Sequence, residues 1–318
     1  MLLWSIFIVF ILALLALDLG VFNRDNHVPS TREALKWTSL WATVGLSFSI
    51  AVYFLYENYW VDHGLTGIDA SMNYLSGYLV ELSLSMDNVF VMALIFKYFQ
   101  IPAKFQHRVL FWGILGALVF RAGMIFAGVW LLEQFQWMMY LFGAILIYSA
   151  YQMITSEEEV EPNSNPIIRW AKKLFPVTKT IENESFFVRR RHILAATPLF
   201  IALLMIETTD ILFAFDSIPA ILAITTEPFL VFSSNVFAIL GLRSLYFVLA
   251  AMMDRFEYLK YSLAIILIFV AAKMLLHNVW HPAEWLSLVV IFVLLFGGIL
   301  ISLYRTSKAA VTEVRSEE

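Results

Sequence analysis

Cysteine is absent from this 318-residue chain. That excludes disulfides, thiolate metal sites and dithiol redox chemistry by the protein itself, and soft thiophilic metals lose their best ligand. Charge is scarce as well: Asp, Glu, Lys and Arg make up 14% of the residues, against roughly 25% in an ordinary soluble domain. No GxxxxGKS or GxxxxGKT phosphate loop occurs, so ATP is not indicated and an ion gradient is the expected energy source. The six histidines sit in connections or at the ends of apolar segments. No intramembrane His is left to favour Zn²⁺ or Cu⁺, and no Ser–His pair can be placed. The chain is expected to be no enzyme, to carry no organic cofactor and to bind no nucleic acid. Met1 to Leu17 is apolar with no Lys or Arg before it. It lacks the basic start and small-residue cleavage site of a signal peptide, so an uncleaved first helix is expected.

What is abundant is apolar surface, with 61% hydrophobic residues and a mean hydropathy of +0.77. It falls in blocks of roughly 20 residues, the length that crosses a ~30 Å hydrocarbon core. The expectation is an all-α polytopic membrane protein, 1–318 forming one transmembrane domain in a lipid bilayer. Nine spans are expected, at about 2–22, 37–56, 72–96, 108–131, 136–154, 194–223, 229–252, 258–276 and 284–304. The connections alternate in charge. The first holds Arg24, Arg32 and Lys36, the third Lys97, Lys104 and Arg108. The fifth (155–193) holds Arg169, Lys172, Lys173, Lys179 and Arg189 to Arg191, the seventh Arg255 and Lys260. The second, fourth, sixth and eighth have no Lys or Arg, while the tail has Arg305, Lys308 and Arg315. Positive charge stays inside, so the odd connections and the carboxyl tail are expected in the cytoplasm and the amino terminus outside. The fifth connection joins an acidic run, Glu157 to Glu161, to a basic amphipathic stretch around Ile167–Phe175, which is expected to lie on the headgroups.

Residues 135–153 match 256–274 at a constant offset of 121, with 7 identities in 19. Ile114-Leu115-Gly116 resembles Ile239-Leu240-Gly241, and each is followed by an intramembrane arginine, Arg121 or Arg243. Glu81 and Asp87 are six residues apart, as are Asp210 and Asp216. Spans three to five (72–154) and six to eight (194–276) are therefore expected to be inverted copies of a three-helix repeat. Secondary transporters are built in this way, with the site at the midplane.

The third span contains Glu81, Asp87 and Asn88, the sixth Glu207, Asp210, Asp216 and Ser217. Each acid at a helix centre costs about 2.5–3.5 kcal/mol, five of them on the order of 12–17 kcal/mol, so such groups need a cavity, a partner or a ligand. Glu81, Ser85 and Asn88 fall on one helical face, and Glu207 and Asp210 share another. Asp87 and Asp216 lie off those faces. A helix break at Ser217-Ile218-Pro219 would bring them in, because Pro219 has no N–H for the Phe215 carbonyl. Carboxylates with freed carbonyls suit a hard divalent cation such as Mg²⁺, Ca²⁺ or Mn²⁺. A structural ion network with Arg121 and Arg243 would leave three of the five acids uncompensated, so the arginines are expected to tune the charge of the site.

The motifs ELSLSMDNVFV and ETTDILFAFDSIPAI, preceded by ENESFFV, resemble those of the TerC family of integral membrane proteins, and the resemblance covers nearly the whole chain. It implies a bacterial inner (cytoplasmic) membrane protein of the lysine-exporter-like superfamily that exports Mn²⁺ as its substrate. It assigns the metal to Glu81, Asp87, Asn88, Glu207, Asp210, Asp216 and Ser217, with protons as a candidate counter-ion. The family name comes from tellurium resistance, and some members are labelled redox modulators in stress response. The lack of cysteine and of any cofactor motif argues against direct redox work. A Ca²⁺ or small cationic amine transporter, or a non-transporting membrane scaffold or redox modulator in a stress response, are the alternatives.

A cysteine placed at residue 160 is expected to react with membrane-impermeant reagents only after cells are broken; its labelling from outside intact cells would overturn the nine-span topology.

Overall fold

Apolar segments that enter a bilayer must satisfy their own backbone, and helices do so within one segment. The computed structural model describes residues 2–20, 30–58, 60–61, 64–155, 166–178, 181, 185–190, 193–250, 259–277, 279–280 and 283–316. Arg24, Asp62, Glu157 to Glu161, Lys179, Glu182 to Glu184 of ENESFFV, Arg191, Arg255 and Phe256 lie outside the described residues. The helices are α1 (Leu2–Gly20), α2 (Thr31–Glu57), α3 (Gly67–Tyr98), α4 (Ala103–Gln134), α5 (Met138–Thr155), α6 (Pro166–Leu174), α7 (Pro198–Leu222), α8 (Pro228–Leu240), α9 (Leu242–Ala250), α10 (Leu259–Leu275) and α11 (Glu284–Ser316). Six of them are long and apolar enough to cross a membrane, and α8 with α9 forms a seventh candidate bent by 45°. α1 is apolar and shorter, and α10 has 17 residues. The chain is a polytopic all-α membrane protein.

Local signals set the helix starts. Ser30 caps α2 by accepting from the Glu33 amide at 3.3 Å, and Thr66 caps α3 by accepting from the Asp69 amide at 3.1 Å. Each satisfies an amide with no partner inside its helix. Pro198 and Pro228 occupy the first turns of α7 and α8, where a missing N–H costs nothing. The helix break expected at Pro219 does not occur. α7 runs unbroken through that proline, and the bend falls instead at Gly241, between α8 and α9.

The charged fifth connection folds further than its composition suggests. α6 lays Ile168 and Ala171 inward and exposes Arg169, Trp170, Lys172 and Lys173. Strands β1 (Phe187–Arg190) and β2 (Ile193–Ala196) pair antiparallel. Phe187 packs on Phe175 and Phe200, tying the hairpin to α6 and the start of α7. Exposed Trp60, Trp130, Trp137, Trp280 and Trp285 flank the α2–α3, α4–α5 and α10–α11 connections. These ends lack the clusters of Lys and Arg found at the opposite ends, and tryptophan at this level anchors a membrane–water interface.

In the bundle, α4 packs along α7, α3 along α8, and α5 along α10. α3 is the central element: Glu81, Ser83, Ser85 and Asn88 are all buried, with apolar side chains around them. Lipid is as apolar as leucine, so these interfaces are held by close packing and polar contacts. Leu146 is fully buried in α5, whereas its neighbour Ile147 is half exposed. Leu146→Ala is expected to lower stability in detergent by about 2 kcal/mol, the low end for a core truncation because lipid removes the transfer part. Ile147→Ala should change it little. Equal midpoints of SDS-induced unfolding for the two variants would contradict the α5 orientation.

Candidate functional site

Leu84, Asp87, Asn88 and Val91 recur at helical spacing along α3 and line a cavity of about 670 Å³. Thr209, Leu212, Phe213, Asp216 and Ser217 of α7 form a second wall, with Ile145, Tyr148, Ser149 and Gln152 of α5 and Leu267 of α10 closing the remainder. Asp87 and Asp216 enter it without any break in α3 or α7, because the cavity lies between α3, α5, α7 and α10. The Ser149 hydroxyl donates to Asp216. The cavity lies toward the ends of α3 and α5 that lead into the basic connections.

Beside the cavity stands a buried ion triad. Arg121 of α4 donates from Nε to Asp210 Oδ2 at 3.2 Å and from Nη2 to Asp210 Oδ1 at 2.7 Å. Its Nη1 bonds Glu81 of α3 and also reaches Ser217 Oγ at 3.5 Å. Asn88 completes the cluster with its amide turned so that Oδ1 accepts from Arg121 Nη2 at 3.1 Å and Nδ2 donates to the Leu84 carbonyl at 3.3 Å. All three ionised groups are at most 3% exposed. The planar guanidinium matches the Asp210 carboxylate fork to fork, a strong and directional contact. Asn88 and Ser217 touch both the triad and the cavity, so they join the two.

The structure therefore divides the residues expected to form one site. Glu81 and Asp210 meet on Arg121; Asp87, Asn88, Asp216 and Ser217 line the cavity. Glu207 stands apart. Its carboxylate lies against Gly116 of α4, where any side-chain carbon would overlap it, and its Oε2 is buried without a hydrogen-bond partner. Arg243 does not join the acids. It pairs with Asp18 of α1 at 2.7 Å and contacts His107 Nε2 at 3.3 Å. Asp18 is a further buried acid, legible in the sequence as the one charge in the apolar run of α1. Its demand for a partner accounts for where Arg243 goes. Among the described residues no three Asp, Glu or His side chains converge closely enough to hold a metal directly. The oxygens of Asp87, Asn88, Asp216 and Ser217 in the cavity instead suit a hard cation that keeps part of its water shell.

Buried carboxylates on facing helices of a multi-pass bundle define an integral membrane protein with a polar centre. The chain belongs to the Integral membrane protein TerC family, whose profile matches residues 66–310. It is 44% identical to an uncharacterised membrane protein of Myxococcus xanthus, over 98% of this chain and 95% of that one. It is 45% identical to the "Putative membrane-bound redox modulator Alx" of Salmonella typhi, over 92% and 90%. The protein of that name in Escherichia coli K12 is 43% identical, over 95% and 94%. No solved structure matches.

Removing one member of a buried ion cluster leaves charge uncompensated, which costs about 3–5 kcal/mol. Arg121→Ala is expected to destabilise the detergent-solubilised protein by that amount. Adding Glu81→Gln and Asp210→Asn should recover most of it, read as thermal unfolding midpoints. An Arg121→Ala protein as stable as the wild type would remove the triad as a structural centre.

Proposed function

We propose that this chain is a secondary transporter, not an enzyme, that exports Mn²⁺ or a similar hard divalent cation from the cytoplasm across the bacterial inner membrane. The observation that carries the reading is the pairing of Asp87 with Asp216 across one cavity, beside a second pair, Glu81 and Asp210, held on Arg121. The donors around the cavity are carboxylate, amide and hydroxyl oxygens, the set that suits Mg²⁺, Ca²⁺ and Mn²⁺. A purely structural network would not need the second pair.

In this reading nine spans cross the membrane: α1 to α5, α7, the bent α8–α9, α10 and α11. The amino terminus is outside and the carboxyl end in the cytoplasm. Residues 72–154 and 194–276 are the inverted repeats. The packing supports this, because exchanging α3 with α7, α4 with α8 and α5 with α10 turns the α4–α7 contact into the α8–α3 contact and maps α5–α10 onto itself. The cavity then faces the cytoplasm. A cation entering it meets Asp87 and Asp216, while Arg121 offsets one of the two charges of Glu81 and Asp210 and closes the path behind them. Once the cation neutralises the cavity acids, Arg121 no longer holds the only positive charge, and the two halves can rock about the α5–α10 contact to open the other side. Protons that replace the metal on the carboxylates let the site return without cargo, which makes it an exchanger.

The test is Mn²⁺ flux in proteoliposomes carrying a pH dye. Asp216→Asn is expected to lower flux by ~10-fold or more, since even outer-shell partners of metal sites act on that scale, and wild-type flux should be accompanied by opposing proton movement. Full flux in the Asp216→Asn protein would overturn the cavity as the transport site.

A further inference from the structure

A second pocket, of about 530 Å³, lies at the opposite end of the bundle from the cavity of Asp87 and Asp216. The start of α3, the end of α4, the α7–α8 connection and the end of α10 form its walls. Three carboxylates line it, from Glu133, Glu227 and Glu284. Lys273 is the one lysine or arginine among the lining residues, and it is engaged with Glu284 at 3.3 Å. The pocket thus carries net negative charge. Asn73 of α3 also lines it and is only 4% exposed, and its Oδ1 has no hydrogen-bond partner. A buried carbonyl oxygen left unpaired costs about 1–3 kcal/mol. An oxygen in that state, on the wall of an acidic pocket, is an acceptor waiting for a donor or a cation.

The same face of α3 continues toward the triad. Asn73, Gly77, Glu81, Ser85 and Asn88 follow one another at helical spacing. Gly77 leaves room for Ser234 of α8: a side-chain carbon there would lie 3.0 Å from Ser234 Oγ. Glu81 Oε2, Ser76 Oγ and Ser85 Oγ are buried without partners, as are both amide atoms of Asn235 on α8. Polar atoms in that condition are uncommon, and here they recur on α3 and α8 between the two cavities.

We propose that the pocket of Asn73 and Glu227 is a second cation site, holding a hydrated divalent cation on the far side of the triad, with the polar face of α3 leading to it. The Glu227 carboxylate supplies the charge and Asn73 Oδ1 the inner oxygen, while Glu133 adds long-range attraction. Because no three acids or histidines converge there among the described residues, the ion keeps several of its waters, and binding is weak enough for release. Only its place at the end of a path rests on the transport reading; the binding does not.

The experiment is Mn²⁺ titration of the detergent-solubilised full chain, read by loss of the electron paramagnetic resonance signal of free Mn²⁺. The wild type is expected to show two classes of bound Mn²⁺. Asn73→Ala with Glu227→Gln should remove the weaker class and keep the other, and Asp216→Asn should do the reverse. Asn73→Asp keeps the shape and adds charge, so it should tighten the weaker class by roughly tenfold, as ligand charge does in other oxygen-ligand sites. Wild-type binding in the double variant, or unchanged affinity in Asn73→Asp, overturns the site. If the double variant loses both classes, the Asn73→Asp titration decides. If Asp216→Asn keeps full transport while the weaker class still depends on Asn73 and Glu227, the transport site is wrong and this pocket stands.

Discussion

Arg121 is the constraint on which the centre of this protein depends. A guanidinium placed inside a membrane bundle has to be matched, and here it is matched twice, by Glu81 from α3 and Asp210 from α7. That fixes the rotation of three helices at once. With α3 and α7 set, Asp87 and Asp216 have no choice of direction: they project into the space bounded by α5 and α10. Gly116, one turn and a residue before Arg121 on α4, makes room for Glu207. The cavity is thus a consequence of the triad, whose arginine directs its bonds to Glu81 and Asp210.

Two acidic pairs with identical spacing on separate helices were legible because acids in apolar segments are costly and therefore conspicuous. What partners each acid has was less legible, since partners come from other helices. The analogy of Arg243 with Arg121 points it to the acid cluster, but Asp18 on α1 takes it. Asp18 is a lone charge near the end of an apolar run, with nothing nearby in sequence to name its partner. In the sequence Pro219 signals a break, but a proline in the last turn of a helix removes only one bond, and α7 continues through it. Gly241, by contrast, interrupts the ladder without any proline, and hydropathy does not show such a bend. The hairpin of β1 and β2 was hidden by its arginines, whose charge marks exposure and not backbone shape.

Gly116 and Gly241 sit in matching Ile-Leu-Gly triplets and behave differently. α4 runs straight through its glycine for 32 residues, whereas α8 ends one residue before its own. The straight helix carries the arginine that binds both halves together. The bent one has two short pieces, of which α8 packs on α3 along its polar face and α9 delivers Arg243 to α1. A rigid rod on one side and a jointed rod on the other give the bundle one element that holds position and one that can change angle.

The order of synthesis gives the triad one more role. Glu81 lies 40 residues before Arg121, and Asp210 lies 89 residues after it. When α4 enters the membrane, the only acid of the triad already made is Glu81, so Arg121 offsets that charge and α3 and α4 go in together at a lower cost than either would alone. At about 5–20 residues per second the ribosome needs roughly 5–20 s to bring Asp210. During that wait the fork of Arg121 is half used. The arrival of α7 fills it, and the first half of the chain acts as the template on which the second half docks.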